Sequence, residues 1–422
     1  MHMPILFCLL ALLTTSIASE TRTWTSRMGS TIEARLISIQ ADKLELEMEN
    51  GRQLKIKTSD LSEADQAQLP EILVEFYGQE IPGIDAQPGK ISPAISCQNA
   101  EWTYHAYLPT SFHLGKKWPV WFIMSAGGGK GGQALNRYIR GAESLQAILI
   151  IPVESKNGFY TSPQVCNETA EDVYDRFPVA KRFAFSSGMS GGSRNAYLLS
   201  ERNRNISGVL ACGSGDGVYH EDQSFKRCKL RSDVYVYSLM GATCFNRTGA
   251  YECHARFPDH FRLRYFPGKH VWAGAELIEE GMARVMAAAL LEHESLSVYQ
   301  DNYLLALSKL AQSKEESAPW EAAYLYKFGL EFDHPTYNSS FNKALSQLSK
   351  DPKVQLAQEA EEDMLQLAKE FYLKHNYFNG DGDPLPARLK LAEKLATPYE
   401  DIPHGETLIE MGKPAPSSKS KK

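Results

Sequence analysis

The chain has 422 residues, 43% of them hydrophobic and 23% charged, which is typical of a globular protein of two or three domains. Its formal net charge of −6 excludes a general electrostatic attraction to nucleic acid. The first eighteen residues, MHMPILFCLLALLTTSIA, form an apolar run that is too short to span a bilayer comfortably. Small residues at Ser16 and Ala18 have the spacing that signal peptidase accepts, so we predict a signal peptide over residues 1–18.

Export would place the protein outside the cell or in the periplasm, without a membrane span after the signal is removed. Because the run has no Lys or Arg before its apolar part, an uncleaved anchor is the alternative. An oxidising compartment favours disulfides among the cysteines that remain after Cys8 is removed. Two pairs of cysteines are separated by short loops, which favours a disulfide within each pair. The alternative is that some of these cysteines are buried free thiols. The expected pairs are Cys212 with Cys228 and Cys244 with Cys253.

Residues 22–78 have the pattern of short β-strands. TIEARLISI, KLELEM and RQLKIK alternate apolar and polar residues, and Asn50-Gly51 is typical of a hairpin turn. TSDLSEADQAQL begins with a capping residue and predicts a short helix. We predict a small β-barrel, and the order of these motifs resembles the first homology domain of the yeast actin-assembly adaptor Sla. That resemblance implies a module that binds a peptide or protein ligand or serves as a spacer.

The rest of the chain divides into three predicted regions after a Pro- and Gly-rich linker over residues 79–97. In residues 98–292, continuous apolar runs such as WPVWFIMSA and AILIIPV alternate with candidate helices, which predicts an α/β domain with a buried parallel sheet. Apolar residues at three- and four-residue spacing predict helices over 293–410. The basic segment 411–422 is predicted to be a disordered tail.

The pentapeptide Gly188-Met189-Ser190-Gly191-Gly192 fits G-x-S-x-G. It follows the strand-like KRFAFSS and precedes the helix-like GSRNAYLLSERN, as a nucleophile elbow requires. We therefore predict that Ser190 is a nucleophile and that the backbone N–H of Gly191 faces the oxyanion. The alternative is an ordinary glycine turn with a buried serine.

A second oxyanion donor is expected from the loop after an earlier buried strand. FIMSAGGGKGG lies there, and Ala126, Gly127 and Gly128 are the candidates. The alternative, a phosphate-binding loop, is disfavoured because Lys130 is followed by glycine and not by the Ser or Thr of G-x-x-x-x-G-K-[ST]. We expect no metal and no organic cofactor.

A histidine must follow the serine in chain order as the base. Of the four histidines between Ser190 and the helical region, His270 alone stands just past a late strand and before a helix. SGMSGGSRNA, AGGGKGG, GATCFNR and FPGKHVW resemble secreted α/β-hydrolases related to polyhydroxybutyrate depolymerases and to feruloyl and acetylxylan esterases. The resemblance covers about residues 101–290 and implies an α/β-hydrolase fold with Ser190 and His270 as catalytic residues.

The third member of the triad departs from that family. In that family, the segment after the penultimate strand usually reads G-x-x-D-x-N, and its Asp orients the histidine. Here Cys244 takes the place of that Asp. We predict that Asp216, in a glycine-rich loop one strand earlier, orients His270 instead. Asn246 and Glu252, in the same segment as Cys244, are the alternatives.

These motifs predict an α/β-hydrolase sheet with a small N-terminal β-barrel and a helical C-terminal region. The predicted function is that of an exported serine hydrolase that cleaves polysaccharide- or polyester-linked carboxylic esters through an acyl-enzyme on Ser190. The alternative is a binding or scaffold protein whose hydrolase domain has lost catalysis, which Cys244 in the acid position favours. A peptidase is a third reading, because the fold also hosts those.

Overall fold

The computed structural model describes residues 20–40, 43–220, 224–372 and 385–414. The predicted signal peptide and most of the predicted basic tail lie outside these residues. The chain divides into two compact units, Met1–Gly78 and Gln79–Lys422. Among the helices in the described residues, none combines the length and the apolar character needed to cross a bilayer.

The first unit contains four strands and a helix: β1 Arg22–Thr25, β2 Thr31–Gln40, β3 Lys43–Met48, β4 Gln53–Lys57 and α1 Glu63–Tyr77. The alternating pattern is explained by a core that includes Trp24, Leu44 and Leu46. Gly51 adopts φ 77° in the predicted hairpin turn, a conformation that glycine adopts without strain. Ser62 caps α1 by accepting the N–H of Asp65.

The strands of this unit pair antiparallel in the order β1-β2-β3-β4. Within the described part of residues 20–78, the named strands pair only with their neighbours in this order, so the sheet is open. The closed barrel predicted from the sequence is therefore not seen. Alternation along a strand shows that one face is buried, but it does not distinguish a barrel from an open sheet covered by a helix.

The second unit is built on an eight-stranded sheet with the order β5-β6-β8-β7-β9-β10-β13-β14. The central strands are parallel, and β6 pairs antiparallel with β5 and β8. A separate hairpin is formed by β11 and β12. The bounds are β5 Ile95–Ser96, β6 Thr103–Tyr107, β7 Trp118–Ser125, β8 Ile148–Pro152, β9 Val179–Met189, β10 Ile206–Cys212, β11 Gly217–Tyr219, β12 Phe225–Arg227, β13 Tyr235–Gly241 and β14 Phe261–Phe266.

Two hydrophobic cores cover the two faces of this sheet. In β7, Val120 and Phe122 face one core and Trp121 and Ile123 face the other, as the two-residue period of a strand requires. A strand buried on both faces has no polar alternation, which explains the continuous apolar runs in the sequence. The helices that cover the sheet begin with α2 Ile139–Ser144, α3 Ser162–Arg176, α4 Gly191–Arg202, α5 Arg247–Arg256 and α6 Ala275–Glu292. The α/β class is confirmed.

The C-terminal helices belong to the same compact unit as the sheet. Ala360 and Met364 of the helical region lie in the core that also contains Phe261 and Leu263 of β14. Glu361 forms an ion pair of 2.7 Å with Arg262 of the same strand. These helices are α7 Gln300–Gln312, α8 Pro319–Leu330, α9 Asn338–Leu348, α10 Pro352–Tyr372, α11 Leu385–Ala396 and α12 Pro403–Gly412.

The segment 79–97, predicted as a linker, also lies inside the second unit. Ile81, Ala86 and Ile95 are buried in one core of the sheet, and Ile91 pairs with Tyr107 in an isolated bridge. Pro- and Gly-rich composition identifies irregular backbone, but it does not show whether that backbone packs against a domain.

Candidate active site

Ser190 occupies a sharp turn between β9, which ends at Met189, and α4, which begins at Gly191. Its backbone has φ 57° and ψ −115°, a conformation that costs a residue other than glycine about 1–3 kcal/mol. Its N–H donates to the carbonyl of Cys212 at 2.8 Å. A Cβ on Gly192 would lie 2.1 Å from the carbonyl oxygen of Met124. The glycine after the turn is therefore required by the close approach of β7.

His270 lies in the loop between β14 and α6, half-buried, with its Nε2 2.8 Å from the Oγ of Ser190. The thiol of Cys212 holds this loop, because it accepts the N–H of Ala273 at 3.3 Å and reaches the carbonyl of Val271 at 3.8 Å. Phe245 packs on the imidazole with a centroid distance of 4.1 Å. The loop between β14 and α6, the end of β10 and the loop after β13 together bring the imidazole of His270 to Ser190.

The other imidazole nitrogen of His270 faces a cysteine. Cys244 lies in the loop that follows β13, and its Sγ is 3.1 Å from the Nδ1 of His270. Cys244 is fully buried, and burial raises the pKa of its thiol to about 11. Cys244 is therefore a neutral thiol at physiological pH, at the position where the resemblance places a carboxylate.

The pKa of His270 is lowered below its ordinary value, first by burial and then by the positive charge of Arg194 in the first turn of α4. Both effects disfavour the imidazolium, because burial removes its hydration and Arg194 repels it. The neutral form, which alone can accept a proton at Nε2, therefore persists to lower pH than in a free histidine.

The charge of Arg194 makes the pH profile of this histidine testable. We expect the acid limb of kcat/KM, which reports the free enzyme, to lie below pH 6.5. Arg194→Gln should move that limb to higher pH, because removing the positive charge raises the pKa of His270. Arg204→Gln is the matched control, since Arg204 is exposed beyond the opposite end of α4 and should leave the profile unchanged. A limb that does not respond to Arg194→Gln would contradict this electrostatic assignment.

Asp216 does not contact His270 in the structure. Its carboxylate pairs with Arg256 of α5 and accepts the thiol of Cys253 at 3.0 Å. The loop after β10 therefore directs this buried side chain to α5 and not to the imidazole. Glu252, one of the alternatives, pairs at the surface with Arg227 at 3.1 Å, and the side-chain amide of Asn246 donates to the carbonyl of Gly213 at 2.8 Å.

The contacts of Asp216 lead to a prediction that separates stability from catalysis. Asp216→Asn should lower the free energy of unfolding by about 1–3 kcal/mol, because the buried side chain loses its negative charge and with it the ion pair to Arg256. Turnover by the folded protein should stay within about threefold, since the carboxylate is not at the site. Thermal unfolding and kcat would be measured on the same samples. Glu252→Gln is the control and should change neither, because its ion pair is exposed; a hundredfold loss of kcat in Asp216→Asn would contradict the assignment.

The predicted disulfides are absent. All six cysteines among the described residues are free and buried. Cys244 faces His270, whereas Cys253 faces Asp216 from α5, so the two sulfur atoms have different partners despite the short loop between them. The number and spacing of cysteines do not reveal the direction of their side chains.

The predicted oxyanion residues lie in two segments that Asn157 connects. Gly191 is the first residue of α4, where N–H groups have no acceptor within the helix. A Cβ on Gly191 would lie 2.1 Å from the Cγ of Asn157, and the N–H of Asn157 donates to the carbonyl of Ala126 at 2.9 Å. Gly127 forms an isolated bridge with Lys156. The loop that carries Ala126 and Gly127 is therefore held beside the elbow.

Three residues support the site in ways that the sequence did not predict. They are Cys212 and Asn157, described above, and Ser193, whose Oγ lies within hydrogen-bonding distance of the backbone N and O of Cys212, at 2.9 and 2.8 Å. Their spacing in the sequence carries no signal, because each acts on a segment distant along the chain. Among the residues that the structure describes, no group of three or more His, Cys, Asp or Glu side chains could hold a metal ion.

No protein-family model and no curated protein matches the chain, so the resemblance of residues 22–78 to the Sla homology domain has no support from these comparisons. Similar solved structures include serine hydrolases and esterases. The fluorophosphonate-binding serine hydrolase F of Staphylococcus aureus is 12% identical with a TM-score of 0.39, over 47% of this chain and 99% of its own. S-formylglutathione hydrolase of Staphylococcus aureus is 11% identical with a TM-score of 0.38, over 48% of this chain and 100% of its own.

A ferulic acid esterase of the anaerobic fungus Anaeromyces mucronatus is 16% identical with a TM-score of 0.38, over 50% of this chain and 95% of its own. All three identities are low. The chemistry of this chain therefore rests on the geometry of its own residues.

Proposed function

We propose that the chain is a serine hydrolase that cleaves carboxylic esters through an acyl-enzyme on Ser190. The observation that carries the proposal is the 2.8 Å contact between the Oγ of Ser190 and the Nε2 of His270, made at a strained turn between a buried strand and a helix. Backbone strain of this kind persists where the surrounding structure fixes it, often at functional sites.

In the proposed reaction, the Oγ of Ser190 attacks the ester carbonyl while its proton passes to the Nε2 of His270. The tetrahedral oxyanion is stabilised by the backbone N–H of Gly191 and by an N–H from Ala126 or Gly127. Collapse of this intermediate breaks the bond to the alcohol, which takes the proton from His270. Water then attacks the acyl-enzyme by the same route, releases the acid and restores Ser190.

The surroundings of the serine support a substrate with an apolar part. Several of the exposed large hydrophobic residues lie in the connections that follow strands β8, β10, β13 and β14, at the sheet edge that carries Ser190. They are Phe159, Tyr160, Phe245 and Val271 in loops and Phe225 in the hairpin of β11 and β12. Exposed apolar clusters commonly mark binding surfaces. We propose a polysaccharide- or polyester-linked ester as the substrate and, from the predicted signal peptide, a secreted or periplasmic protein.

A fluorophosphonate probe tests the proposal directly, because it phosphonylates an activated serine and expels fluoride. Intact-mass measurement should show one adduct on the folded wild-type chain and none on Ser190→Ala. Folded wild-type protein that stays unlabelled would refute the proposal. It would support the alternative of a binding or scaffold protein, which the neutral thiol at the acid position favours.

Measurements with acetyl, feruloyl and hydroxybutyryl esters would then show which acyl group the protein prefers. The preferred ester would be the one with the highest kcat/KM, since this ratio measures discrimination between competing substrates.

A further inference from the structure

The buried sulfur of Cys244 has three polar neighbours. The backbone N–H of Asn246 donates to Sγ at 3.4 Å, and the Nδ1 of His270 lies 3.1 Å away. The carbonyl oxygen of Gly213 lies at 4.0 Å in a direction that the thiol proton can take. These contacts join the loop after β13 to the loop after β10 and to the imidazole.

The directions of these hydrogen bonds follow from the chemistry of each group. A backbone N–H can only donate, so the sulfur accepts from Asn246. The carbonyl of Gly213 can only accept, so it offers the thiol proton a place away from the imidazole. With its proton directed there, the sulfur receives the Nδ1–H of His270. A neutral imidazole that carries its proton on Nδ1 has an unprotonated Nε2, and Nε2 is the atom that faces Ser190.

We propose that Cys244 is the positioning residue of the site, a thiol that accepts the Nδ1–H of His270 and so holds Nε2 ready to take the proton of Ser190. The inference rests on the proposed function. The carboxylates that the sequence suggested for this role are engaged elsewhere, Asp216 with Arg256 and Glu252 with Arg227. Cys244 therefore supplies orientation and tautomer without supplying a negative charge.

Nitrogen-15 NMR of the imidazole side chains tests the tautomer without reference to activity. In the wild-type chain at a pH where His270 is neutral, we expect its proton to reside predominantly on Nδ1. Cys244→Ser should keep that tautomer because a hydroxyl can also accept, whereas Cys244→Val, which has a similar shape and no acceptor, should give a mixture. Cys253→Ala is the matched control, since Cys253 is equally buried in the same segment and faces Asp216; it should leave the His270 signals unchanged.

Kinetics on an ester substrate supply the second readout. Cys244→Val and Cys244→Ala should lower kcat by about 10- to 100-fold with KM nearly unchanged, because transition-state proton transfer is affected and binding is not. Cys244→Ser should recover kcat to within about fivefold of wild type. Two apolar variants are used so that, if one of them does not fold, the other still tests the positioning role.

The outcomes separate the two proposals. A wild-type chain that neither reacts with the fluorophosphonate nor turns over esters refutes the proposed function. A reactive wild-type chain whose tautomer and kcat survive Cys244→Val refutes the positioning role alone. Loss of the Nδ1–H tautomer and of kcat in the apolar variants, with rescue by serine, is the expected result.

Discussion

Replacing Ser190 by alanine is expected to lower the kcat of ester hydrolysis by at least about 10³-fold. The variant has no oxygen to attack the carbonyl, and removal of the nucleophile in serine hydrolases leaves only the catalysis that binding and oxyanion stabilisation provide. KM should change little, because the apolar surroundings of the site remain. Steady-state kinetics with an ester that the wild-type chain cleaves would measure the loss.

Two further serine variants sharpen this test. Ser190→Gly should lose activity to the same extent yet unfold at a higher temperature than Ser190→Ala, because glycine adopts φ 57° without strain. Ser200→Ala, at the far end of α4, removes only a hydroxyl that donates to the carbonyl of Tyr197 and should keep wild-type turnover. Full activity in Ser190→Ala would show that the nucleophile lies elsewhere.

Replacing Cys244 by aspartate is expected to raise kcat by about 10- to 100-fold. The wild-type thiol is neutral because burial raises its pKa to about 11, so the imidazolium formed during attack faces a neutral group at Nδ1. A carboxylate at the same place would accept the Nδ1–H and stabilise that charge, and the triad Asp of a serine protease contributes about 10⁴ in turnover. We expect a smaller gain because the loop after β13 packs around the sulfur of Cys244 and not around a carboxylate.

Cys244→Asn is the matched control for the charge. It has nearly the shape of aspartate but no negative charge, and its amide can present N–H to Nδ1 and favour the wrong tautomer. It should therefore be slower than wild type. The added carboxylate should also cost about 1–3 kcal/mol of unfolding free energy, because it is buried, which thermal unfolding would detect. A Cys244→Asp variant that folds and is no faster than Cys244→Asn would exclude a role for charge at this position.

The sequence alone determined the features that depend on neighbouring residues. Apolar runs without alternation predicted buried parallel strands, because a strand covered on both faces has no polar side. The order of strand, glycine turn and helix placed Ser190 at the end of β9. A histidine in a loop after a late strand was predicted to reach it because the parallel strands end at one edge of the sheet. Asn50-Gly51 likewise fixed the hairpin between β3 and β4.

Only the tertiary structure decided how distant segments meet. The sequence offered Asp216 as the partner of His270, yet α5 brings Arg256 to that carboxylate and leaves Cys244 at the imidazole. Short loops suggested disulfides, but the cysteines point to different neighbours. The sequence pattern also did not predict that the N-terminal sheet is open or that α10 packs on β14. A side chain's direction depends on the packing of the whole fold, whereas a hydrophobic pattern records only whether a residue is buried.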